Sequence, residues 1–187
     1  MPIRVITGSA KGRRLKMVPG DTTRPIMDRV KESLFSIIGR GIDGALFLDL
    51  FAGTGSVGIE ALSRGAEQAV FVEMDGKAVQ TILQNLATTR LNDRAIVRRT
   101  DVFTFLKRPY TPPPDYIYIA PPQYKGLWLQ TLEMLDAYPA WIPLGTQVIV
   151  QIDPAEQQSV SLQHLAEIDQ RRYGKTLLWF FEGQAVD

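Results

Sequence analysis

Apolar positions along this chain change their period several times. Leu46–Leu50, Gln68–Val72, Ala95–Arg98, Tyr116–Ile119 and Thr146–Ile152 are short, nearly continuous apolar runs, the pattern of strands buried on both faces. Between them the apolar residues recur every three or four positions and predict helices over Ser56–Ser63, Lys77–Thr88, Val102–Leu106 and Leu127–Ala137. Gly65 is the expected cap of the first of these helices. Ahead of this alternation, Ile3–Ile6 and Arg14–Val18 flank Gly8 and Gly12 and predict a β-hairpin. Thr23-Arg-Pro25 predicts a helix start, with Thr23 or Arg24 at its head and Pro25 in its first turn. Ile26, Val30, Leu34, Ile37 and Ile38 form its apolar face, and Gly39 and Gly41 end it. Pro109–Pro114 reads as a loop and residues 155–165 as weakly helical. Ala166–Tyr173 and Thr176–Phe181, joined at Gly174-Lys175, read as a closing hairpin. Strands alternating with helices imply an α/β fold with a parallel sheet, and the last hairpin adds antiparallel strands.

Composition narrows the chemistry. The 187 residues suit one domain with room for a small appendage. There is no cysteine and one histidine, His164, so neither a thiolate nor a multi-histidine metal site is expected. The apolar runs are far shorter than a membrane span, and Met1-Pro-Ile-Arg4 does not read as a signal peptide, so a cytoplasmic location is expected. Charge is unevenly spread. Residues 1–40 hold nine basic side chains against three acids, a surplus of +6, which on a total of +1 leaves −5 for the rest. A basic end on a mildly acidic body points to a polyanionic partner, nucleic acid, contacted at that end.

The strand Leu46–Leu50 runs directly into Phe51-Ala-Gly-Thr-Gly55, where glycines let a ligand approach the backbone. Gly53, Gly55 and Gly58 spell the dinucleotide fingerprint, G-x-G-x-x-G. Asp49, inside the strand end, argues for a different ligand, because a carboxylate there repels a pyrophosphate. S-adenosylmethionine (SAM) has no phosphate and carries a positive sulfonium and ammonium, which a carboxylate attracts. Glu73 stands at the next strand end, 20 residues after Gly53, near the interval at which an acid meets ribose hydroxyls. Asp101 with Val102 follows the third strand, where a carboxylate can accept from an adenine amino group, and Ala120–Tyr124 ends the fourth. A SAM pocket is therefore the first expectation, and a nicotinamide dinucleotide the rival.

The order Asp-x-Phe-Ala-Gly-Thr-Gly, Glu73-Met-Asp75, Asp101 and x-Pro-Pro resembles class I SAM-dependent methyltransferases. Gly8-x-x-x-Gly12-Arg13-x-Leu15, Arg24-Pro25-x-x-Asp28-Arg29-Val30 and Gly58-x-Glu60-Ala61-Leu62-Ser63-Arg64 are similar to the RsmD-type 16S rRNA guanine-N2 methyltransferases. The likeness continues to Tyr173-Gly174-x-Thr176 and Phe180-Phe181-Glu182. It implies a Rossmann-like, mostly parallel seven-stranded sheet with an antiparallel C-terminal hairpin, plus an N-terminal β-hairpin. Residues 1–40 would be a basic, RNA-contacting extension and 41–187 the SAM-binding core. By position, Asp49 with Phe51, Ala52, Gly53, Thr54 and Gly55 would hold the methionine part, Glu73 the ribose, and Asp101 with Val102 the adenine. Arg13, Arg24 and Arg29 would meet RNA. The implied partner is small-subunit rRNA or the assembling small subunit, and the protein is expected to be a monomer without a metal.

One departure matters. The family's target-base loop usually begins with Asp or Asn, then Pro-Pro and an aromatic. An exocyclic purine amine is a poor nucleophile, and acceptors that hold its protons aim its lone pair at the methyl group, while the aromatic ring stacks on the flipped base. Here the loop reads Ala120-Pro121-Pro122-Gln123-Tyr124. Ala120 has no side-chain acceptor. Tyr124 is the expected stacking ring, and Gln123 is a candidate acceptor. Loss of one preorganised hydrogen bond costs roughly 10²–10³-fold in rate. A SAM- and RNA-binding assembly factor with little or no turnover is thus one alternative. A methyltransferase for another amine or amide is a second.

Overall fold

The run Leu46–Leu50 forms β3, the strand from which the sheet grows in both directions. In the computed structural model, which describes residues 2–20 and 25–185, β4 (Gln68–Glu73) lies parallel to it on one side and β6 (Tyr116–Ile119) on the other. Beyond them lie β5 (Ala95–Arg99) and β7 (Gln147–Ile152), and the hairpin of β8 (Leu165–Tyr173) and β9 (Thr176–Gly183) closes the sheet. The order is β5-β4-β3-β6-β7-β9-β8, with β9 antiparallel to both neighbours. This is the seven-stranded, mostly parallel sheet that the sequence leads one to expect. A separate two-stranded hairpin pairs β1 (Ile3–Arg4) with β2 (Arg14–Leu15).

Successive strand residues face opposite sides of the sheet, and here both sides are covered. Phe47, Phe71, Tyr118, Ile149 and Phe180 share one core with α1 (Asp28–Ile38), α2 (Ser56–Ser63), α3 (Gly76–Thr89) and the apolar residues of the N-terminal hairpin. Leu48, Leu50, Val70, Val72, Ile117 and Ile119 share the other with α4 (Val102–Leu106) and α5 (Leu127–Ala137). Each fully buried side chain of this kind contributes roughly 1.5–3 kcal/mol. Gly58 explains the close fit of α2 on the sheet: a Cβ there would stand 2.4 Å from the Phe71 ring.

Two elements differ from their sequence reading. The first helix starts at Asp28, with Met27 as its N-cap, and Pro25 precedes it in non-helical chain; Thr23 and Arg24 lie outside the described residues. Its first bonds run from the amides of Val30 and Lys31 to the Met27 carbonyl, and Asp28 occupies the first turn, where a negative charge suits the helix end. Residues 155–165 are not helical beyond a single 3₁₀ turn, Pro154–Glu156. Asp136, at the end of α5, accepts hydrogen bonds from the amides of Gln163, His164 and Leu165, which pins this segment as extended chain. Val160 and Leu162, two apart rather than three or four, pack on the core ahead of Leu165, the first residue of β8.

β8 forms one margin of the sheet. It carries an irregularity between Glu167 and Asp169, and Arg171 pairs with Asp169 at 2.9 Å.

Candidate active site

The parallel strands β5, β4, β3 and β6 are consecutive neighbours, so their carboxyl ends form one rim. Asp101, Glu73, the loop Phe51–Gly55 and the loop Ala120–Tyr124 stand along it in that spatial order. Between β3 and β6 the connections diverge to opposite sides, the place where open α/β sheets bind ligands. The fold thus brings the expected cofactor set and the expected target-base loop together.

The glycine loop is wound tightly. Phe51, Gly53 and Gly55 all have positive φ (60°, 57° and 77°), which is costly for Phe51 and free for the glycines. Around Gly53 the space where a side chain would begin is open, whereas a Cβ on Gly55 would press against Ile82 and Phe71. The three glycines of the fingerprint therefore do different work: Gly53 faces open space, while Gly55 and Gly58 permit packing. Thr54 is tied down through its carbonyl, which accepts from Asn85 Nδ2 at 2.9 Å. Ala52 donates to the Val72 carbonyl at 3.0 Å, joining the loop to β4.

Each acid has a defined state. Asp49 is 1% exposed, beside Phe71 and Tyr118 in register, and accepts from the Gly58 amide at 3.0 Å. Burial pushes its carboxyl well above the usual range; the Gly58 amide opposes this, and the nearby Glu73 carboxylate adds to it. Glu73 accepts from the amides of Gly53 and Asp75, both at 2.9 Å, one on each oxygen. Each oxygen keeps a further lone pair for a hydroxyl donor. Asp101 caps α4 by accepting from the Thr104 amide at 3.0 Å, and its bonds to Thr104 hold its carboxyl below the usual range. Val102 is buried behind it. Open space at Gly53 and spare acceptors on Glu73 fit a hydroxylated, cationic nucleoside.

Across the rim, Tyr124 is 66% exposed and has φ 61°. Its hydroxyl donates to Asp153 at 2.5 Å and its amide to Glu156 at 2.8 Å. The bond to Asp153 raises the phenol's pKa and lowers that of the carboxyl. Gln123 and Pro122 are exposed; Ala120 and Pro121 are half-buried. The positive field of Arg172, near the end of β8, and of Lys175, in the β8–β9 turn, also reaches Asp153.

The basic residues fall into distinct roles. Arg13 is exposed on the N-terminal hairpin, and Arg24 lies outside the described residues. Arg29 is exposed on α1 with its guanidinium 5.8 Å from the centre of the Tyr173 ring, a cation–π contact. Asp28 pairs with Arg4 at 2.8 Å.

Sequence reasoning did not assign the polar contacts that seat this apparatus. Glu60 is fully buried in α2 and accepts from the amides of Ile6 (2.9 Å) and Thr7 (3.0 Å) and from Arg64 Nε (2.9 Å). Lys31 Nζ lies 3.3 Å from it and donates to the Arg4 carbonyl and to Ser56 Oγ. Burial lowers the Lys31 pKa, with Glu60 opposing. Asn85 joins Thr54 to the hairpin by also accepting from the Lys16 amide (2.7 Å) and donating to its carbonyl (3.1 Å). The available signal was a polar residue set among apolar helix positions: Glu60 between Ile59 and Ala61, Asn85 between Ile82 and Leu86. Among the described residues no group of acids and histidine is arranged to hold a metal, and no helix is long and apolar enough to cross a membrane.

A model of the family described as conserved hypothetical protein 95 matches residues 3–182. YlbH of Bacillus subtilis (strain 168) is 46% identical over 138 residues, 73% of this chain and 75% of that one. Ribosomal RNA small subunit methyltransferase D of Escherichia coli (strain K12) is 37% identical over 134 residues, 72% of this chain and 67% of its own length. The solved structure of yhhF from Escherichia coli superposes with a TM-score of 0.87 over 100% of both chains at 30% identity.

Proposed function

The chain belongs to the family of ribosomal RNA small subunit methyltransferase D, and from that premise and the rim's geometry we propose that it methylates the exocyclic N2 amine of a guanine in small-subunit rRNA. The observation that carries the reading is the single rim on which Asp101, Glu73 and the glycine loop adjoin the Pro-Pro loop at the switch point. SAM bound there supplies an electrophilic methyl group on a sulfonium. The chain's residues bind and orient. Asp49, which accepts from the Gly58 amide beneath the glycine loop, is assigned to the methionine part. Phe51, Ala52, Gly53, Thr54 and Gly55 shape the methionine subsite, Glu73 accepts from the ribose hydroxyls, and Asp101 with Val102 takes the adenine. Tyr124, anchored by Asp153 and Glu156, offers a ring on which a flipped base stacks, worth roughly 1–3 kcal/mol. Arg13 and Arg29 meet RNA phosphates, and Arg24 is assigned with them. Proximity and orientation are the main sources of rate.

The test is transfer of labelled methyl from SAM to small-subunit particles and to naked rRNA, followed by mass analysis of the digested nucleosides. The expected product is N2-methylguanosine. Another methylated amine would overturn the target assignment, and no label in any assembly state would overturn the activity. A second reading, a SAM- and RNA-binding assembly factor, is favoured by one observation, the absent side-chain acceptor at Ala120. Tight SAM binding without turnover distinguishes it.

A further inference from the structure

Ala120 leaves the target-base loop without the acceptor that its chemistry calls for, and the neighbouring strand holds one. Ile119, the last residue of β6, pairs with Val150 of β7 on strands roughly 4.8 Å apart, so continuing that register by one residue sets Ala120, just past β6, beside Gln151. Both lie on the sheet face that carries Tyr118 and Ile149, and Ala120 packs against the core of that face. Gln151 is half-buried and its Oε1 accepts from the hydroxyl of Tyr118, a side chain that is itself 2% exposed. A carboxamide oxygen has two acceptor sites. One is taken by Tyr118, and among the described residues no hydrogen bond engages the second or the Nε2 group.

We propose that Gln151 is the amine-orienting residue of this chain, its Oε1 accepting one N–H of the target amine beside the short side chain of Ala120. The inference rests on the proposed reaction. Gln151 removes no proton. It holds one amine hydrogen while the nitrogen lone pair points at the methyl donor, and the proton released after transfer leaves to water. Gln123, on the loop itself, is the weaker candidate. It is exposed and no hydrogen bond among the described residues holds it, so ordering it costs rotamer entropy, whereas Gln151 is already held by Tyr118.

The experiment compares the full-length protein with Gln151→Leu, Gln151→Glu, Gln123→Ala and the double variant Ala120→Asn/Gln151→Leu. The readouts are single-turnover methyl transfer, SAM affinity by calorimetry and thermal midpoint. Gln151→Leu is expected to lower the transfer rate about 10²–10³-fold with SAM affinity unchanged. Ala120→Asn is expected to restore much of that loss, because it returns an acceptor from the adjacent strand. Gln151→Glu is expected to keep most of the turnover, because a carboxyl oxygen accepts the same N–H. The proposal is overturned if Gln151→Leu keeps its turnover, or if its loss comes with an equal loss of SAM affinity or folding and Ala120→Asn does not rescue it. A loss confined to Gln123→Ala transfers the role to the loop. Absence of transfer by the unmodified protein is a different outcome, which overturns the guanine reading itself.

Discussion

Replacing Asp49 with Asn tests whether the glycine loop is built around a buried negative charge. Asn keeps an acceptor for the Gly58 amide and deletes the charge. The carboxylate is 1% exposed, so solvent screens it little. Exchanging a charged for a neutral acceptor gives up about 1 kcal/mol, while removing an ionised carboxylate from the interior recovers several. Without cofactor, at a pH where the Asp49 carboxyl is ionised, Asp49→Asn is therefore expected to be more stable by about 1–3 kcal/mol. The pH dependence fixes the sign. Burial raises the folded-state pKa of Asp49, so between the ordinary aspartate value and the raised one the native state binds more protons than the unfolded chain. Stability of the unmodified protein falls with rising pH in that window, by at most about 1.4 kcal/mol per unit from this group. Asn does not titrate, so the gap between the two proteins widens as pH rises through that window. Urea unfolding at pH 4, 6 and 8 measures it. With SAM present the order shifts: on the proposed reading a cationic ligand at the glycine loop favours the ionised carboxylate, and Asp49→Asn is expected to bind SAM about tenfold more weakly, equivalent to about 1.4 kcal/mol. A gap that stays constant with pH, or a variant less stable than the parent where the carboxyl is ionised, refutes the argument.

Three further outcomes follow from contacts already described. Gly58→Ala places a Cβ 2.4 Å from the Phe71 ring and is expected to cost about 1–3 kcal/mol or more, read as a lower urea midpoint. Glu60→Leu removes the partner of the buried Lys31 and orphans the amides of Ile6 and Thr7; a loss of about 3–5 kcal/mol is expected, visible as a fall in thermal midpoint. Arg29→Ala is expected to weaken RNA binding in low salt and to reduce the slope of log affinity against log salt by roughly 0.7–0.9, with SAM affinity unchanged.

Most of the sheet was legible because its strands are buried on both faces, which makes each a compact apolar run. The bounds of β3, α2, α4, β6 and α5 coincide with their sequence readings. The rim was legible for a related reason: Asp49, Glu73 and Asp101 are acids at strand ends, and the parallel order that makes those ends adjacent follows from the alternation of elements. The start of α1 was not, because Thr23 and Pro25 carry good local start signals and the helix instead begins where Asp28 meets Arg4, a partner 24 residues away. Residues 157–164 were misread because their fixing group, Asp136, sits at the end of another element. The same reason hides Tyr124's anchors. Asp153 and Glu156 reach it from beyond β7, some 30 positions along the chain, and no local pattern announces such a meeting.

The outer margin of the sheet carries a consequence for life in a crowded solution. An unpaired strand invites another molecule to continue the ladder, and repetition of that event makes fibres. Along β8, the sequence Glu167-Ile-Asp-Gln-Arg-Arg172 sets charge of both signs on that border, and the step between Glu167 and Asp169 throws its amides out of register. A second copy approaching there finds ions to strip and a ladder that does not match its own, so the border resists growth without being roofed over.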